Sequence, residues 1–100
     1  MKPRSFPFVN VKKKTIEFHI RCGRASHVSL AGTFNHWSQN QLELQHLQDD
    51  NWKITIPLLP KGKYLYKFFI DDVMWMEDVE NPYREPDGVT GWNSVLTIQD

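Results

Sequence analysis

The residues of this chain best suited to chemistry are its tryptophans. The 100-residue sequence contains four of them, at Trp37, Trp52, Trp75 and Trp92. Trp52 shares the parity of Ile54 in an alternating apolar segment, which predicts a core residue. Trp37 instead lies in a polar loop, where a large ring keeps one face exposed, whereas Trp75 follows the Asp71-Asp72 turn and its direction is left open by the sequence. For each ring taken alone, partial burial by packing and exposure as a ligand platform are equally compatible with the sequence.

Paired rings at a surface are typical of sugar recognition. One face of a pyranose consists largely of C–H bonds and lies on an aromatic ring, while its hydroxyl groups donate and accept hydrogen bonds. Lys67 adds a donor, since the alternation around it places Lys67 on the face opposite Tyr66. The pattern indicates a site built from Trp37, Trp75 and Lys67.

The other reactive side chains favour no catalytic or metal-binding role. The four histidines lie in different segments, and none has the spacing of a metal-ligand pair. Cys22 is the single cysteine, and the sequence has no Gly-x-Ser-x-Gly elbow. The acidic pairs Asp71-Asp72 and Asp78 with Glu80 are interpreted as solvated turn residues. We therefore expect no enzyme activity, no metal and no cofactor.

Composition excludes several classes of partner. Twelve basic residues balance twelve acidic ones, so the charge that dominates nucleic-acid affinity is missing. No apolar run approaches the roughly 20 residues that span a bilayer, and the first residues do not resemble a signal peptide. Since a lone cysteine suits a reducing compartment, we expect a cytoplasmic protein that binds neither nucleic acid nor membranes.

The periodicity of the chain predicts an all-β protein. Apolar residues alternate with polar ones through short segments, and turn signals separate these segments at 49–51, 60–62 and 71–72. The segment around Leu42 and Leu44 is expected to form a hairpin with 52–58, and 81–88 is expected to be a long loop. About seven short antiparallel strands predict an immunoglobulin-like β-sandwich over residues 15–100, preceded by an extended arm over 1–14.

Two motifs strengthen this interpretation. Residues 28–38, VSLAGTFNHWS, and residues 59–71, LPKGKYLYKFFID, resemble the glycogen- and starch-binding modules of AMP-activated kinase beta subunits. Related domains precede the catalytic barrel of branching enzymes and isoamylases. The likeness extends over roughly 26–98, and it implies an early-set β-sandwich that binds α-1,4-linked glucan such as glycogen, starch or malto-oligosaccharides.

The resemblance also implies roles for single residues. Trp37 and Trp75 would stack on glucose units, while Lys67 and Asn93 would bond hydroxyl groups. The sequence departs from the family in two places. The 71–74 turn is one residue longer, and Val89 and Gly91 replace a leucine and a threonine. Three further candidates complete the set, namely Asn35, Val89 and Trp92.

Two other functions fit the same residues. The first is a protein-interaction domain that presents a dry apolar face to a protein partner. The residues suited to that face are Leu65, Phe69, Met74 and Met76. The second is an accessory domain fused to the catalytic domain of a larger glucan-processing enzyme.

Overall fold

The computed structural model describes residues 6–99, which form short strands and one 3₁₀ turn. Over this range the strands are β1 (Phe8–Asn10), β2 (Thr15–Arg21), β3 (Val28–Gly32), β4 (Leu42–Glu43), β5 (Gln45–His46), β6 (Asn51–Pro57), β7 (Gly62–Ile70), β8 (Met74–Met76), β9 (Arg84–Pro86) and β10 (Trp92–Ile98). The 3₁₀ turn, Thr33–Asn35, follows β3. Across 6–99, no helix has the length and apolar character needed to traverse a bilayer.

The strands form two antiparallel sheets. One sheet has the order β1-β2-β6-β5, and the other has the order β4-β3-β7-β10-β9. β8 pairs with residues 68–70 of β7, beyond the residues of β7 that pair with β10. The longest strand, β7, lies in the middle of the second sheet and pairs with β3, β8 and β10. This arrangement confirms the predicted all-β, immunoglobulin-like sandwich.

The core lies between the two sheets and follows the predicted alternation. Phe18 on β2 packs edge-on against Tyr66 on β7, with ring centroids 5.1 Å apart and planes at 74°. Trp52 is buried in the same core, as predicted. Because side chains alternate across a strand, Lys67, the neighbour of Tyr66, lies on the outer face of the six-stranded sheet.

The segment predicted to form one strand around Leu42 and Leu44 is in fact divided between the sheets. β4 pairs with β3, whereas β5 pairs with β6. Leu44 lies between them, buries its side chain and donates its backbone N–H to the Val28 carbonyl at 2.8 Å. The chain therefore crosses from one sheet to the other at a core residue, and only β5 forms the predicted hairpin with β6.

Two further strands lie in segments that were expected to be irregular. β9 lies inside the predicted 81–88 loop and pairs with β10, with Pro86 at its end on the sheet edge. Proline is tolerated there because an edge strand does not need every backbone N–H for pairing. β1 lies in the predicted arm and pairs with β2 from Phe8 to Asn10. These additions raise the strand count of residues 6–99 above the predicted seven.

Candidate functional site

A groove of about 340 Å³ lies on the outer face of the six-stranded sheet. Its lining comes from four separate segments, the 3₁₀-turn loop, β7, β8 and the β9–β10 region. The lining residues are Trp37, Lys67, Trp75, Asp87, Val89 and Asn93. All four residues to which the resemblance gave a role are brought together here, with Val89 from the further candidates. Asp87 was not among them.

Trp37 is presented by a tight loop that begins at Gly32. A Cβ on Gly32 would clash with the Leu65 carbonyl oxygen, so the chain needs glycine where the end of β3 lies close to β7. His36 and Trp37 both have left-handed backbone conformations, with φ of 56° and 58°, and the Trp37 N–H donates to the Gly32 carbonyl at 2.8 Å. Such conformations are costly for bulky residues and cluster at functional sites.

Asn35, one of the further candidates, serves the loop itself. Its side-chain oxygen accepts a hydrogen bond from the Gly32 N–H at 2.9 Å, and its amide donates to the Leu30 carbonyl at 3.3 Å. The side chain is buried and does not line the groove. Asn35 therefore stabilises the loop that carries Trp37.

Trp75 turns toward the groove despite the longer turn before it. Asp71 and Asp72 both have positive φ, 51° and 60°, which reverses the chain and pairs Trp75 with Phe69 in the β7–β8 register. The Trp75 ring packs on Phe69 with centroids 4.5 Å apart and leaves Phe69 only 7% exposed. It also meets Trp37 edge-on, at 6.2 Å and 77°. Trp75 itself remains 39% exposed.

The polar part of the groove is an ion pair. Lys67 Nζ lies 2.8 Å from Asp87 Oδ2, and each side chain is 17% exposed. The other oxygen of Asp87 accepts hydrogen bonds from the backbone N–H groups of Val89 and Gly91, at 2.9 and 3.2 Å. The hydrogen bond from Lys67, helped by these N–H groups, lowers the pKa of Asp87 to about 2. Asp87 thus holds both the lysine and the 87–91 loop.

Asn93 and Trp92 are neighbours on β10 that lie on opposite sides of the strand. Asn93 lines the groove, paired in register with Glu85 of β9. Trp92 is 39% exposed but does not line the groove. The Arg84 guanidinium lies 4.3 Å from the centre of its ring and is held there by Glu77 at 2.9 Å. Trp92 is therefore engaged in a cation–π contact outside the groove.

A buried polar network lies behind the groove, on the core side of the same strands. The Tyr66 hydroxyl donates to Asp78 Oδ2 at 2.7 Å and accepts from the Asn81 amide at 3.0 Å. The Asp78 N–H donates to the Ser94 hydroxyl at 2.8 Å. The interpretation of Asp78 as a solvated turn residue is wrong, because its side chain is 2% exposed. Burial raises its pKa to about 6.

Neither the histidines nor the cysteine line the groove. His27 bonds Glu43 and lies 3.4 Å from Asp72, and the bond to Glu43 raises its pKa. Cys22 is a half-buried free thiol whose pKa is raised by burial. Among residues 6–99, no three His, Cys, Asp or Glu side chains are grouped so as to hold a metal ion.

Fold and site together define an immunoglobulin-like β-sandwich that presents an aromatic groove on one sheet face. This is the architecture of a carbohydrate-binding module, a class of non-catalytic domain. Residues 15–100 match the family model described as the glycogen recognition site of AMP-activated protein kinase, and the chain belongs to this family. The resemblance drawn from the two motifs is thereby confirmed. None of the curated proteins compared with the chain matches it.

Proposed function

We propose that the groove binds α-1,4-linked glucan, such as glycogen, starch or malto-oligosaccharides, without acting on it chemically. The carrying observation is the convergence of Trp37, Trp75, Lys67 and Asn93 on one groove from four segments of the chain. The rings would stack on the C–H faces of glucose units. Lys67 and Asn93 would bond their hydroxyl groups.

The angle between the rings supports an α-linked ligand. Trp37 and Trp75 lie at 77°, so their free faces point in different directions. An α-1,4-linked chain curves at every linkage and presents successive units in different planes. A β-1,4-linked chain is flat and would need two coplanar rings. The corner formed by the two tryptophans thus matches the curved chain.

The expected affinity is modest. We take the contribution of each stacked ring to equal that of an aromatic pair, about 0.5–1.5 kcal/mol beyond the area that it buries, and association opposes binding with its own entropy cost. Two rings and two hydrogen-bonding side chains therefore predict a Kd in the micromolar to millimolar range. Binding to a branched polymer that offers many chain ends would be tighter through avidity.

The competing docking function loses part of its apolar surface in this fold. Phe69 is covered by Trp75, and Met76 packs against the core, which leaves Met74 and the half-buried Leu65. A role as the accessory domain of a glucan-processing enzyme would use the same groove.

We place the function in the cytoplasm, where the free thiol of Cys22 would stay reduced.

Isothermal titration with maltoheptaose tests the proposal. We expect Trp37→Ala and Trp75→Ala each to weaken binding about tenfold, because each removes a stacking face and its buried area. Trp92→Ala is the matched control, since Trp92 and Trp75 are equally exposed and only Trp75 lines the groove.

The control should bind within about twofold of the unsubstituted protein, and cellohexaose should produce no heat. Absence of heat with maltoheptaose, or equal affinities for Trp75→Ala and Trp92→Ala, would refute the groove as the binding site. Thermal melts of each variant separate loss of binding from loss of folding.

A further inference from the structure

The ion pair between Lys67 and Asp87 is the charged part of an otherwise uncharged groove. Lys67 and Asp87 are the two charged residues among the six that line it. Their side chains are equally exposed and are joined at 2.8 Å, so the groove presents both signs of charge side by side. The local field that a ligand meets is therefore set by the balance within this pair.

Both partners keep hydrogen-bonding capacity for a ligand. A carboxylate has about four acceptor positions, and Asp87 uses three of them, for Lys67, Val89 and Gly91. Of the three N–H donors of an ammonium group, Lys67 directs one at Asp87. An acceptor and a donor then lie side by side, which is the arrangement that two neighbouring sugar hydroxyls require.

Gly91 keeps this pair open. A Cβ at Gly91 would lie 3.0 Å from Asp87 Oδ2 and 3.8 Å from Lys67 Nζ, so any larger residue would crowd the charged groups. The backbone of Gly91 has no left-handed φ that would by itself require glycine. The space beside the ion pair is thus the structural consequence of glycine at this position.

We propose that Asp87 is a specificity-determining residue of the groove. Together with Lys67 it binds neighbouring hydroxyls of a neutral glucan, and by cancelling the lysine charge it disfavours glucans that carry anionic groups. This inference rests on the proposed function, since it assigns a selectivity to the same groove. The ion pair would therefore select for uncharged glucans.

The test compares two ligands on three variants. The ligands are maltoheptaose and C6-oxidised maltoheptaose, whose glucuronate units are anionic. Asp87→Asn keeps one oxygen for the N–H groups of the 87–91 loop and replaces the carboxylate charge, so Lys67 is left uncompensated. Lys67→Gln leaves Asp87 uncompensated. Glu43→Gln is the control, because it removes a carboxylate from β4 of the same sheet, outside the groove lining.

Opposite shifts are expected from the two groove variants. Asp87→Asn should weaken maltoheptaose binding about fivefold and strengthen binding of the oxidised ligand about fivefold, with the gain reduced at high salt. Lys67→Gln should weaken both, and the oxidised ligand more. Glu43→Gln should leave the ratio of the two affinities within about twofold of the unsubstituted protein.

Each outcome decides the matter. If Asp87→Asn lowers both affinities by the same factor, Asp87 only holds the loop and the inference is overturned. If that variant does not fold, Lys67→Gln decides, because an unchanged affinity ratio there also overturns it. If the unsubstituted protein binds maltoheptaose and the ratios never change, the selectivity fails while the proposed function stands. If it binds neither ligand, both fail.

Discussion

Two aspartates that contact neighbouring residues of β7 show how differently the two faces of one sheet treat the same side chain. Asp78 accepts a hydrogen bond from Tyr66 in the core, and Asp87 pairs with Lys67 in the groove. Burial raises the pKa of Asp78 to about 6, whereas the lysine lowers that of Asp87 to about 2. Desolvation dominates on one face and a neighbouring cation on the other.

The strand β10 repeats this division. Ser94 belongs to the buried network and Asn93 to the groove. Asn81 completes the network by donating to both Tyr66 and the Val95 carbonyl, at 3.0 and 2.9 Å. The network therefore ties β7 to β10 from behind, and these two strands carry Lys67 and Asn93 of the groove. One face holds the two strands together through the buried network, and the other carries the groove that we propose binds glucan.

The largest expected effect is on stability. Asp78→Ala should lower the free energy of unfolding by about 4 kcal/mol at pH 5, because the Tyr66 hydroxyl and the Glu80 N–H both lose their acceptor. Asp87→Ala should cause a much smaller loss, since its pair lies at the surface. Urea unfolding of both variants measures the difference. Similar losses would contradict the division between the two faces.

The pH dependence of stability should separate the two carboxyl groups next. The folded pKa of Asp78, about 6, exceeds its ordinary value of 3.8, so the stabilisation is fully present below 3.8 and is lost as the pH rises through 6. The difference corresponds to about 3 kcal/mol. The lowered pKa of Asp87 acts oppositely, since its stabilisation is present above 3.8 and is lost as the pH falls toward 2.

Urea unfolding at pH 4, 5, 6 and 7 checks this prediction. Asp78→Asn should abolish the decline between pH 4 and 6, while His27, whose pKa is raised, titrates alike in both proteins. The difference between the two pH profiles then isolates Asp78. Parallel profiles would show that the buried carboxyl group does not titrate in this range.

The smallest expected effect is confined to the groove. Gly91→Ala should weaken maltoheptaose binding about threefold by crowding Asp87, while the entropy that alanine removes from the unfolded chain offsets part of the cost of that crowding to stability. Gly23→Ala is the matched control, because its added Cβ would lie 3.4 Å from the Asp50 carboxylate, and neither residue lines the groove. Titration and thermal melts give both values. Equal affinities of the Gly91→Ala and Gly23→Ala variants for maltoheptaose would show that the ligand does not depend on the space beside the ion pair.

Much of the fold was predictable because strand alternation is a local property. The parity of β7 predicts Tyr66 in the core and Lys67 outside, and the same reasoning places Trp52 in the core. The crossing at Leu44 was not predictable in this way. Alternation continues unbroken through that residue, and the change of sheet depends on which partner strand is available.

The site was predictable only in part, for the same reason. Trp37 and Trp75 stand out in the sequence because turns precede them, and the family resemblance adds Asn93 to the set. The pairing of Lys67 with Asp87 joins residues twenty positions apart, and no local pattern marks it. Trp92 is of the residue type expected in a sugar-binding site, but it lies outside the groove, in contact with Arg84.

The sequence by itself therefore determined the alternating strands, the core rings and the two tryptophans that alternation does not assign to the core. Only the tertiary structure decided where Trp75 points, that Asp78 is buried, and that Asp87 faces Lys67. Each of these depends on how a loop is held against a distant strand. Local periodicity dictates the face of a side chain, but contacts between distant segments dictate its environment and hence its charge and its role.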